Sequence, residues 1–448
     1  MIIVGGVAFL LFSASLMCRN IDRQDRTVLS SYDSSVFTDI SSVRFEKDKD
    51  FIKEFEKIVT SSSSRGLPVE IFKNDIPPNA NIASHLEQQF SVFYEEGNSG
   101  ELEALRSVRP QPGSDWEISS EALQTVNDVI NRTDERRLFI RKLLIAKKTC
   151  FATELVYNKK TKESIPNWKA ASYLDDYLLL EEFAVAKSLH EGNVHQAIDA
   201  AAYMFRLAQL ASEVEMPSAR AKVAQMRRKT IRITQAIALD PLCQEKDIVR
   251  LYDIMKEQLD HWVPDERAWI GARAFGMLIY EAVRERGMIP ILGNQVIAEA
   301  TRNGVMELYE KNILRSLTSD YTFYLQSMST MIDSSRDVYS SRQKDFAAIG
   351  ARLRERQRPE SGPFPIIADF LLRNIREIME ACAVERAECE SAFIAVATSA
   401  NRPVGLLHHG NSLNGKPFQI STLESPPRVS VTFEGAEQPF IAPIFGKN

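Results

Sequence analysis

Apolar residues recur at helical spacing over most of the chain, and the pattern predicts a mainly α fold. Phe51, Ile52, Phe55, Ile58 and Val59 form the first stripe, which the serine run ending at Gly66 closes. Pro77 and Pro78 open a helical run over 79–95, and the Pro110 to Gly113 breaker precedes Ser119, a good N-cap for a run reaching about Cys150. The centre reads as helices over 168–189, 194–214 and 218–239, punctuated by Gly192-Asn193 and Pro217. Such short connections make antiparallel neighbours. Runs over 246–262 and 265–286 continue the pattern, and Gly271 and Gly276 either mark close helix packing or cost helix stability. A helical region over 295–356, a breaker at 359–363 and a last long helix over 366–399 follow. From Asn401 the composition turns to Gly, Pro and β-branched residues. Alternation of Val429, Val431 and Phe433 there predicts a small antiparallel sheet packed on the helices. The expected fold is therefore an antiparallel helical-hairpin array over 48–400, with a small β element over 401–448.

Met1 to Cys18 is the one long uncharged stretch, and at ~1.5 Å per residue it barely spans a ~30 Å hydrocarbon core. No Lys or Arg precedes it, while Arg19, Arg23 and Arg26 follow, so it reads as an uncleaved anchor, with a cleaved signal and a buried start as alternatives. The missing basic flank also admits a true start upstream of Met1. A polar juxtamembrane linker is expected over 19–47. The charges after the segment favour a cytoplasmic body by the flank rule.

The 448 residues are 44% hydrophobic and 26% charged, too apolar for a disordered chain and too charged for a multi-span transporter. A net charge of -5 argues against nucleic acid as a partner. Five cysteines are too few for a disulfide framework, and Cys382 and Cys389, seven apart on one expected helix, are too far apart to bridge.

Candidate chemistry is sparse. Gly410 to Lys416 fits the G-x-x-x-x-G-K phosphate loop, but Pro417 stands where Ser or Thr should bind Mg²⁺, and a turn before a strand is the expected reading. His190 and His195 stand five apart across Gly192 instead of four apart on one helix face, which predicts exposed loop histidines. His408-His409 lacks further ligands, Glu257 and His261 make only a surface i, i+4 pair, and Ser341 to Lys344 lacks the companion elements of a Ser-x-x-Lys enzyme. No cofactor, metal site or catalytic set is therefore assigned. Asp175, Asp176, Glu181 and Glu182 are expected to form a solvated rim around Leu178 to Leu180. Arg220, Lys222, Arg227, Arg228, Lys229 and Arg232 crowd one helix whose apolar residues fill a narrow sector. They predict an exposed basic face balanced by acidic neighbours, with Arg220, Arg227, Arg228 and Arg232 as candidate contacts for an acidic partner or lipid headgroups.

The stretch around Gly192-Asn193 and Ala197 resembles one tetratricopeptide-type hairpin, without the repeat that a solenoid needs. The apolar start, IPPNANIASHLEQ from Ile76, LLLEEFAVAKSLHEGN, DERAWIGARAFG from Asp265 and NGKPFQI from Asn414 together resemble a group of envelope-anchored helical proteins of planctomycete-type bacteria. That resemblance implies an exported body held at the cell envelope, and it supplies no catalytic residues. The NGKPFQI tail is also similar to the end of pseudopilins, whose prepilin start is absent here. The expected function is a non-enzymatic scaffold or interaction module with an envelope protein partner. An envelope hydrolase with a dispersed active site and a pseudopilin-like secretion component are the alternatives.

Overall fold

The computed structural model describes residues 49–60, 71, 80–108, 119–146, 150–151, 155–158, 163–166, 169–288, 292–311, 313–358, 361, 363–373, 375–408, 410–421, 428–431 and 440–443. The apolar segment 1–18 and the linker 19–47 lie outside these residues, and no helix among the described residues is long and apolar enough to cross a membrane.

Helix α1 (Lys49–Thr60) carries the first stripe. Helix α2 (Ile82–Glu95) starts where the Asn81 side chain accepts from the Ala83 N–H, and a short parallel bridge between Asn81 and Cys150 pins that end. Its buried Ile82, Leu86, Phe90 and Phe93 follow the helical repeat. After α3 (Ser99–Ser107), the run expected as one helix divides into α4 (Ser120–Arg132), capped by Ser119, and α5 (Asp134–Ile145). The division falls at Thr133, a buried residue whose hydroxyl bonds back to Val129 O at 2.9 Å. Asp134 and Glu135 then suit a fresh N-terminus. An unforeseen hairpin, β1 (Leu155–Asn158) with β2 (Glu163–Pro166), precedes the central helices.

Helices α6 (Lys169–His190), α7 (Val194–Ala211) and α8 (Pro217–Leu239) fall close to their expected limits. Gly192 takes a left-handed φ of 72° at the first turn, where any other residue would be strained, and Asn193 caps α7. Helices α9 (Glu245–Asp260) and α10 (Glu266–Arg286) also match. The region 295–356 resolves into α11 (Asn294–Arg302), α12 (Val305–Lys311), α13 (Ile313–Asp333) and α14 (Tyr339–Glu355). Helices α15 (Ile366–Arg373) and α16 (Ile375–Ser399) cover the last run.

Two apolar cores result. The first is built mainly from α2 to α9, the second from α10 to α15, and α16 belongs to both: its residues up to Ala387 lie in the second and those from Cys389 in the first. Helix α8 packs between α7 and α16, and α10 packs on α13. Close approach at α10 depends on its two glycines. A side chain at Gly271 would collide with the backbone oxygen of Glu215, and one at Gly276 with the Tyr324 ring. Strands β3 (Gln419–Ser421), β4 (Arg428–Val431) and β5 (Phe440–Pro443) form an antiparallel sheet in that order, resting on α16. Val429 turns its side chain into the core, and Phe433, expected on the same face, lies outside the described residues.

Candidate functional site

Only part of the basic side of α8 faces solvent. Arg220 is 2% exposed and Arg227 is wholly buried, because α7 and α16 cover two sides of a helix expected to bury only one. The arginines stand seven apart and so share a face. Arg220 donates from Nε to Asp265 Oδ1 at 3.0 Å and from Nη1 to Glu385 Oε2 at 2.6 Å. Arg227 donates to Glu385 Oε1 at 3.0 Å, and to Gln209 and Ser212 of the α7 end. Arg342 of α14 takes the other oxygen of Asp265 at 2.9 Å. Two carboxylates thus serve three guanidinium groups, joining α8, α14 and α16 with the start of α10.

Trp262, on the turn between α9 and α10, lies among three cations. The guanidinium carbons of Arg227 and Arg386 are each 4.3 Å from its ring centre and that of Arg220 is 5.4 Å away. Arg386 donates to Glu390 at 2.7 Å, and Glu390 accepts the Ser412 N–H at 3.0 Å. Burial opposes the charge on Arg220, but the Glu385 and Asp265 carboxylates outweigh it and hold its pKa above the usual value. On Arg227 burial prevails and the pKa is lowered, the Arg220 charge adding to the effect. Burial would raise Asp265, yet Arg220 and Arg342 hold it below the ordinary carboxylate value. The thiols of Cys382 and Cys389 are free and pushed up by burial, Cys389 to about 12, which keeps them unreactive protonated groups.

Of the other candidate contacts, Arg228 is half-buried in a two-point pair with Glu388, both bonds 2.8 Å, and Arg232 is exposed. Lys222 and Lys229 pair with Asp175 and Glu182. The acidic residues of α6 correct a second expectation, since Asp175 alone of the four is exposed. Asp176 accepts from Tyr94 at 2.7 Å and Arg106 at 2.6 Å, and Glu181 accepts both donors of Arg141, at 2.9 and 2.5 Å. Cations from α3, α5 and α8 converge on α6 and remove its carboxylates from water.

The Gly410 to Lys416 loop is a closed turn. Asn411 Oδ1 accepts the N–H groups of Leu413 and Asn414, Asn414 Oδ1 accepts that of Lys416, and Asn411 O accepts that of Gly415. With Ser412 N–H on Glu390 and Asn411 N–H on Lys416 O, every backbone donor from Asn411 to Lys416 is spent within the protein. A phosphate cradle needs those donors free. The loop instead serves α14: Ser412 O and Leu413 O accept the N–H groups of Tyr339 and Ser340 at its N-terminus.

His190 and His195 are both exposed on either side of Gly192, and His195 lies 3.3 Å from Asp247. His261 ends α9 and is exposed, its ring nitrogen 3.1 Å from Glu257 O. Ser341 is half-buried and Lys344 exposed on α14. Among the described residues no three His, Cys, Asp or Glu side chains are grouped to hold a metal. A further buried carboxylate, Asp320, accepts from Tyr280, Tyr309 and the Ile367 and Ala368 N–H groups in the first turn of α15, at 2.6 to 3.1 Å. Burial nevertheless pushes its pKa up to about 6. Glu385 is 165 residues from Arg220, so no spacing in the sequence announces the cluster. No family model, curated protein or solved structure matches the chain.

Proposed function

We propose that the protein is a non-enzymatic scaffold or interaction module, held at the cell envelope by Met1 to Cys18 and presenting its helical body to a protein partner. One observation carries this reading: Asp176, Glu181, Glu182, Asp265 and Glu385, all buried, are each paired with a cation from a different helix. Carboxylates committed in this way fix the helices against one another instead of standing free for acid–base work. A rigid array of helix pairs offers preformed grooves, which lower the ordering cost of binding a partner.

Mild cross-linking and pull-down of the tagged full-length chain from native membranes tests the reading, with a chain truncated before Arg19 as control. A reproducible partner that the truncated chain loses is the expected result. Recovery of the full-length protein alone overturns the reading.

A further inference from the structure

The cluster around Trp262 holds more positive than negative charge. Arg220, Arg227, Arg342 and Arg386 make four cations, and Asp265, Glu385 and Glu390 make three anions. Guanidinium groups do not shed their charge at neutral pH, and an unmatched charge inside a protein is costly. Four donors of the cluster are buried with no partner in the protein, Arg342 Nε and three beside Trp262: Arg220 Nη2, Arg227 Nε and Arg386 Nη1. Each is bonded to a guanidinium carbon at about 1.3 Å. The distances from those carbons to the indole therefore place all three donors within about 7 Å of one ring centre.

Access is one-sided. Arg220 and Arg227 are buried, while the Arg386 side chain is 24% exposed and Trp262 is half-buried, so these two residues lie at the solvent side of the cluster with the three unpaired donors covered behind them. A small oxyanion has the charge and the lone pairs that these donors lack. We propose that Arg220, Arg227 and Arg386 hold such an anion, of the phosphate, sulfate or carboxylate type, beside Trp262. Glu385 does not bar it, because its charge is already shared between two arginines. The site stands independently of the scaffold reading.

The experiment is thermal unfolding of the full-length chain in detergent, with inorganic phosphate, sulfate or acetate titrated at constant ionic strength against chloride. At least one of the three is expected to raise the midpoint saturably. Arg386→Gln should weaken that binding by about tenfold or more, the loss of a charge-assisted hydrogen bond. Arg228→Gln, which breaks the pair between α8 and Glu388 of α16 away from the Trp262 ring, should leave the affinity unchanged. If Arg386→Gln does not fold, Arg386→Lys keeps the charge, removes the fork, and should likewise weaken binding. Responses no larger than that of chloride, or equal affinities in the Arg386 and Arg228 variants, would overturn the proposal.

Discussion

Glu385 and Glu388 lie on one helix three residues apart, each joined to an arginine of α8, and they differ in burial. Glu385 is fully buried, and each of its oxygens serves a different arginine, at 2.6 and 3.0 Å. The Glu388 side chain is 19% exposed and its partner Arg228 28%. Glu385→Gln preserves shape but removes the negative charge and turns an N–H group toward a guanidinium. Arg227 is then left buried without a counter-ion and Arg220 keeps only Asp265, a loss of about 3–5 kcal/mol. Glu388→Gln breaks a partly solvated pair and should cost below about 1 kcal/mol. Equilibrium urea unfolding of the full-length chain, followed by circular dichroism, measures both. Salt sharpens the comparison, because raising the ionic strength should shrink the Glu388 effect and leave the Glu385 effect in place. A Glu385→Gln protein no less stable than the Glu388→Gln protein would refute the view that this buried cluster fastens α8 to α16.

Asp320 predicts a pH dependence whose sign follows from its raised pKa of about 6 against an ordinary value of 3.8. Between these values the folded chain keeps a proton that the unfolded chain has released, so this group lowers stability as pH rises from about 4 to 6, by roughly 3 kcal/mol in all. The unfolding free energy of wild type minus that of Asp320→Asn should therefore fall between pH 4 and pH 7, and a pH-independent difference would contradict the assignment. Asp265 has the opposite sign: its depressed pKa gives stability that is present above about pH 4 and lost on further acidification. At Gly271 an added Cβ meets the Glu215 backbone oxygen, and overpacking of about 1–3 kcal/mol should exceed the ~1 kcal/mol that Ala gains in helix propensity. Gly350→Ala on α14 meets only the flexible end of Arg354 and should be neutral or stabilising. Thermal melts that placed Gly271→Ala level with Gly350→Ala would show that α10 has no close contact there.

Local chemistry was sufficient for most of the helical order. The Gly192 turn, the Ser119 cap, Pro217 at the start of α8 and the alternation around Val429 each act through near neighbours, and each is found where the sequence places it. The structure also decides between the two readings of Gly271 and Gly276 in favour of close packing. The division at Thr133 and the β1–β2 hairpin were missed because their signals are short, a single side-chain bond and two four-residue strands.

Burial of charge is what the sequence by itself left undecided. The sequence determined that α8 is rich in arginine and α6 in carboxylates, but whether such residues meet water depends on how many sides of their helix are covered. For α8 two sides are covered, by α7 and α16, and a partner 165 residues away decides that Arg220 is an interior ion. Helical periodicity reports one covered face; a second covered face exists only once the chain has brought distant helices together.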